Sequence, residues 1–293
     1  MGYLFIFFAV FCNMTKGYAS KRVSGSLSSV RESIAFNIVR SFVCCSFAFM
    51  LVLIKRIPGV FTISTVEIAI CMAAGISMAV FTAAWILALK TDAYMFVSAC
   101  GSASFIIPFL CGLIFWNEDF TPFKLMSFVL ILLALYFLLR YNFKLNGSLS
   151  MGQVLLLLLI VISQGITQTT QKMYAMYADK DISCYTLYMF IIAFFFFILI
   201  FPFFKKDSKE KEHFMIKGNT KYVLIMGLAL FATSYFQTCA AKEVDAIILY
   251  PLLNALNLIG GSSMASLIFR EKMSRDSVIG IVLVFGALLF SKF

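Results

Sequence analysis

The sequence predicts an all-α membrane protein of ten transmembrane helices built as two related halves. Three observations predict it. First, 62% of the 293 residues are hydrophobic and only 13% are charged, whereas a soluble domain is about half apolar and about one quarter charged. Second, the apolar runs are long enough to cross a hydrocarbon core ~30 Å thick, which takes ~20 helical residues. They are not the alternating segments of ~10 residues that build an outer-membrane barrel. Third, one hydrophobic module occurs twice. Ala88-Leu89-Lys90 leads into a run ending Trp116-Asn117-Glu118, and Ala240-Ala241-Lys242 leads into a run ending Phe269-Arg270-Glu271. Lys90 and Lys242 are 152 residues apart, Glu118 and Glu271 are 153 apart, and a further apolar run follows each module. Many transporters consist of two related halves around a central site.

The ten expected spans are 2–19, 34–54, 64–89, 94–116, 123–140, 151–174, 184–204, 222–241, 246–269 and 277–291. The first resembles a signal peptide but lacks a basic leading region, and Asn13, Thr15 and Lys16 interrupt it, so it is read as a retained helix. The second places Asn37 and Arg40 on one face. There Arg40 either snorkels to the headgroups or offers a planar fork to a carboxylate or phosphate. Only Lys90-Thr91-Asp92 separates the third span from the fourth, which is rich in small residues between Ser98 and Ser104. The sixth carries Gln164, Gln168 and Gln171 at i, i+4, i+7, one face of a helix, with Lys172 beside them. Such a stripe either touches a solute or glues helices by hydrogen bonds. The hydrophilic stretch 205–221 reads as a solvated connecting loop. In the ninth span Tyr250, Asn254, Asn257 and Gly261 share a face, and Gly260 and Gly261 suit close helix approach. Pro108 and Pro251 either kink their helices or, for Pro251, sit harmlessly in a first turn.

The same inventory excludes other classes. The eight cysteines lie almost entirely inside apolar runs with no Cys-x-x-Cys, so they read as small buried residues, and no metal or other cofactor is expected. The net charge of +10 is scattered over loops and helix ends, which argues against nucleic acid. The sole histidine, His213, falls in the charged loop, and no hydrolase, zincin or P-loop signature is present, so no enzyme is expected. No carboxylate falls near the centre of a span. Intramembrane polar groups are costly and mark pathways. Here the set is cationic and amide-rich, and it suits an anionic or zwitterionic solute. The candidate binding residues are Asn13, Lys21, Asn37, Arg40, Gln164, Gln168, Gln171, Lys172, Tyr250, Asn254 and Asn257.

Ten spans, the duplicated module, and an amide eight residues before a lysine in each opening helix (Asn13 to Lys21, Gln164 to Lys172) together resemble the drug/metabolite transporter superfamily, in particular its EamA-type branch. Arg40 also sits where that family often has an arginine, whereas Cys12-Asn13 departs from its pattern. The resemblance implies two inverted five-helix repeats, 1–145 and 146–293, with a substrate cavity between them worked by alternating access. It implies a multi-pass permease of the cytoplasmic membrane for a small organic metabolite, such as an amino acid or a nucleotide-sugar-like compound, acting as a monomer or homodimer in the bilayer. The alternatives are a flippase for a lipid-linked phosphate carrier and a multidrug exporter, although small multidrug relatives use a glutamate that this first helix lacks. Sixteen basic residues follow odd-numbered helices and seven follow even-numbered ones or the C-terminus, which by the positive-inside rule puts both termini outside. The family resemblance implies both inside.

Overall fold

In the computed structural model the described residues are 1–27, 29–91, 94–119, 121–146, 150–204, 216–270 and 275–290. His213, Glu271 and most of the charged 205–221 stretch lie outside them. Among the described residues every element is helical: α1 (Gly2–Ser24), α2 (Val30–Lys55), α3 (Thr65–Thr91), α4 (Tyr94–Ser102), α5 (Ile106–Ile114), α6 (Pro122–Asn146), α7 (Met151–Tyr177), α8 (Ile182–Ile200), α9 (Ile216–Glu243), α10 (Ala246–Leu267) and α11 (Arg275–Phe290). Each expected apolar run falls on helical structure within the described residues, but seven of the ten, and not all ten, are long and apolar enough there to cross a membrane. A short 3₁₀ turn, Ala103–Phe105, joins α4 to α5. Pro108 explains that turn, because it has no N–H to give the Ser104 carbonyl one turn earlier. Pro251 is inside α10 and not in its first turn.

Among the described residues seven helical stretches are long and apolar enough to cross a membrane: those of α2, α3, α7, α8, α9 and α10, and Phe96–Ile114, which joins α4 and α5. α6 and α11 contribute shorter apolar segments, Pro122–Ala134 and Val278–Ala287. α1 is polar in its second half, where Asn13, Thr15, Lys16 and Lys21 fall.

Local chemistry sets most helix starts. The Ser29 hydroxyl accepts from the Glu32 N–H at α2, and Ser150 and Gln153 form a reciprocal capping box at α7. The Asp181 carboxylate accepts from the Ser183 N–H at α8. Arg56, at φ 50°, ends α2 in the left-handed region. α10 makes no side-chain cap of its own; its cap comes from Glu118, far away in sequence.

The helices pack with α1 along α9, α3 along α7, α2 against α8 and α9, and α10 against α4, α5 and α1. α6 and α11 pair at the flank, where Phe123 stacks on Phe290 and the Ser127 hydroxyl donates to the Ala287 carbonyl at 2.9 Å. Gly2 lies against Glu243 and Val244, and Phe5 stacks on Phe236, so α1 and α9 run antiparallel. Phe7, Phe11, Leu53, Ile54, Leu155 and Leu199 are exposed, while Asn37, Arg40, Gln168, Gln171 and Thr238 are buried. That arrangement is inside-out for a protein in water and natural for one in lipid.

Candidate functional site

Five helices converge on a polar cavity of about 30 Å³. α1 supplies Asn13 and Lys16, α3 supplies Phe81 and Trp85, and α7 supplies Gln164. α4 supplies Ser98, Gly101 and Ser102, and α10 supplies Asn254 and Asn257. The pairs from α1, α3 and α10 are spaced by three or four residues, which places each pair on a single face. The volume is that of about one water molecule, so a metabolite would enter only if the helices part.

Glycines bring the walls together. A Cβ on Gly101 would stand 3.1 Å from the Trp85 ring, and one on Gly261 would stand 2.5 Å from the Ser98 hydroxyl. Gly260 likewise makes room for Met14 on α1. The small residues read from the sequence as packing devices therefore set the distance at which α4, α10 and α1 face each other.

Lys16 dominates the electrostatics of this cavity. It is 6% exposed, and its ammonium lies 5.3 Å from the Phe81 ring centroid and 6.0 Å from that of Trp85. The ring faces give a cation–π attraction. No hydrogen-bond acceptor or carboxylate among the described residues pairs with it. The indole Nε1 of Trp85 and the Oδ1 of Asn257 are also buried without a partner. The Asn254 amide is partly used, since its Nδ2 donates to the Tyr250 carbonyl at 2.9 Å. Along the wall the cavity thus offers an ammonium, an indole N–H and carboxamides.

The other sequence-selected residues have other places. The glutamine stripe of α7 divides along its length. Gln164 lines the cavity, Gln168 Oε1 accepts from the Ser104 hydroxyl at 3.4 Å, and Gln171 Nε2 donates to Gln237 Oε1 at 3.3 Å. The Tyr250 hydroxyl donates to the Gln168 backbone carbonyl, so Tyr250 ties α10 to α7 one turn from Asn254. Lys172 donates to the Val244 carbonyl at 2.9 Å and lies 3.5 Å from Glu118 Oε1. The Glu118 carboxylate accepts from the N–H groups of Ala246 and Ile247, each at 2.8 Å. Lys21 donates to the Leu89 carbonyl at 3.2 Å. Asn37 and Arg40 are buried on α2, away from the cavity wall.

Lys16, Phe81 and Trp85 were not singled out by the sequence. In the sequence Lys16 reads as one of the polar residues that interrupt the first span. The available signal was its i+3 spacing from Asn13 inside an apolar run. Phe81 and Trp85 are indistinguishable from ordinary core aromatics until the ammonium above them is placed.

No curated protein matches the chain. A solved structure titled only as a crystal structure of a protein superposes with a TM-score of 0.72, covering 99% of this chain and 95% of that one at 12% identity. At that identity the likeness is one of fold. The family model described as the EamA-like transporter family matches residues 151–293, from the start of α7 to the end of the chain. Over residues 151–293 the chain is thus similar to the EamA-like transporter family, and its long apolar helices are those of a multi-pass membrane protein.

Proposed function

We propose that the chain carries a small anionic or zwitterionic organic solute across the cytoplasmic membrane by alternating access. The five-helix halves 1–145 and 146–293 rock about the central cavity as inverted repeats. This reading is supported by the walls of the cavity, which come from α1, α3 and α4 on one side and α7 and α10 on the other.

The observation that carries the solute class is the Lys16 ammonium. A buried charge without a counter-charge costs several kcal/mol, and the rings of Phe81 and Trp85 offset part of that, about 2 kcal/mol or somewhat more. An anionic group entering the cavity supplies the missing partner. Asn13, Gln164, Asn254 and Asn257 then hydrogen-bond the remainder of the solute, and Trp85 donates its N–H. A lipophilic cation would meet repulsion at the same point.

The test is a thermal-shift screen of the purified protein against amino acids, carboxylates, phosphorylated metabolites, polyprenyl phosphates and cationic drugs. A ligand that binds only the folded state raises the melting temperature by linkage. The expected result is a shift from an anionic or zwitterionic solute that is lost in Lys16→Met and weakened in Asn257→Ala, with matching uptake into proteoliposomes. Shifts confined to cations would overturn the solute class, and shifts confined to polyprenyl phosphates would favour a flippase.

A further inference from the structure

A second buried cation lies close to Lys16. Arg40 is 2% exposed and Asn37 is fully buried one turn before it on α2. Among the described residues neither amide atom of Asn37 has a partner, nor do Nε and Nη2 of Arg40. No carboxylate among the described residues pairs with the guanidinium. A native interior leaves few polar side-chain atoms unsatisfied, and four of the twelve such atoms among the described residues fall on these two neighbours.

The packing fixes where that place is. α2 is drawn tightly onto α9, because Gly227 leaves room for Val43 and accepts from the Cys44 thiol at 3.3 Å. At the end of the bundle, Ala19 and Val23 of α1, Phe36 of α2, Ile86 of α3, and Val223 and Met226 of α9 form one apolar cluster. Lys16 is one turn inward of Ala19, Arg40 is one turn inward of Phe36, and Trp85 adjoins Ile86. The two cations therefore lie at one depth beneath a common apolar plug.

We propose that Arg40, oriented with Asn37, is a second anchoring point for the solute, and that the pair with Lys16 selects a dianion. The ligand class is a dicarboxylate or a doubly charged phosphate-type group. One negative charge meets the Lys16 ammonium and the other meets the guanidinium fork, which is suited to two-point recognition of carboxylate or phosphate. A monoanion leaves one of the two cations uncompensated. Arg40 is behind the cavity wall in this closed form, so the second contact belongs to a state in which the cavity is wider. The inference rests on the anionic-solute reading of the cavity.

The experiment measures melting temperature in detergent at matched ionic strength and neutral pH. The probes are sulfate and succinate as dianions, and acetate and chloride as monoanions. The expected result is a shift from at least one dianion and none from the monoanions. Arg40→Met weakens the dianion's apparent affinity about tenfold or more, and unliganded Arg40→Met melts no lower than wild type, because it removes an unpaired buried charge. A purely structural arginine would instead lower that melting temperature. Arg40→Lys keeps the charge without the fork and gives an intermediate affinity, which preserves the test if Arg40→Met fails to fold. Unchanged dianion affinity in Arg40→Met, or equal shifts from monoanions and dianions, overturns the second anchoring point. If those shifts still vanish in Lys16→Met, the cavity reading survives. If no anion of either class shifts the protein, both readings fall.

Discussion

Glu118→Gln tests the most constrained contact between the two halves of the chain. The Glu118 carboxylate does three things at once: it accepts from the Ala246 and Ile247 N–H groups at 2.8 Å, capping α10, and it neutralises Lys172 at 3.5 Å. Both side chains are 8% exposed, so this is a buried pair. At that separation the gross attraction is ~5 kcal/mol for an effective dielectric of 20, largely offset by the desolvation of both ions. Removing one partner is a different matter, because it strands the other charge at a cost of ~3–5 kcal/mol. Gln can still accept one N–H bond, and Lys172 keeps the Val244 carbonyl, so the lower end applies. The expected loss is ~3 kcal/mol, read by reversible denaturation in detergent micelles. Lys172→Met should cost less, because the helix N-terminus still compensates the carboxylate. The double variant should recover part of the sum, with a coupling of ~1–3 kcal/mol. A loss below ~1 kcal/mol for Glu118→Gln, or strict additivity in the cycle, would refute the account of a buried clasp. The same substitution bears on transport, since this clasp ties Glu118 of the first half to α7 and α10 of the second and must break if the cavity is to open at that end. Faster labelling of an engineered Asn254→Cys from that side in Glu118→Gln is the expected outcome.

Three further outcomes follow from individual contacts. Gly261→Ala puts a Cβ 2.5 Å from the Ser98 hydroxyl and should destabilise by ~1–3 kcal/mol through overpacking, as measured by melting temperature, with a loss of solute binding because α4 and α10 are forced apart. Tyr250→Phe removes only the bond to the Gln168 carbonyl and should cost ~1 kcal/mol; a silent substitution would mean that this bond does not tie α10 to α7. At Asp181, burial raises the carboxyl, but the Ser183 bonds and Lys55 at 3.0 Å outweigh it and hold the group below its ordinary range. The folded value is depressed, so the stabilisation is present above the unfolded value of ~3.9 and is lost as pH falls through the folded one. Wild type should therefore lose melting temperature relative to Asp181→Asn as the pH is lowered below ~4, and parallel curves would count against the capping and ion-pair account.

The helices were legible because hydrophobic length is a local property, but of the ten expected spans seven are long and apolar enough to cross a membrane among the described residues. The interruption at Ala103–Phe105 was half-legible, since Pro108 announced a break without saying whether the chain would bend or merely tighten. The site was harder to read, and the reason is visible in four cations. Lys16, Lys21, Arg40 and Lys172 look alike along the sequence, as basic residues at or near the ends of apolar runs. What separates them is the acceptor each one meets. Lys21 finds the Leu89 carbonyl, and Lys172 finds Val244 and Glu118, so both are used up in holding helix ends. Lys16 finds only ring faces, and Arg40 has donors without acceptors. Those acceptors lie 54 to 72 residues away in the chain, beyond the reach of any spacing rule. The glutamine stripe of α7 shows the same limit from the other side: helical periodicity put Gln164, Gln168 and Gln171 on one face, but only the partners Ser104 and Gln237 decide which amides bond across helices and which one lines the cavity. A polar residue in a membrane helix is therefore read from what it lacks. Under the proposed function, the charges left unmatched in the folded chain, and not the charges as such, are the ones that select the solute.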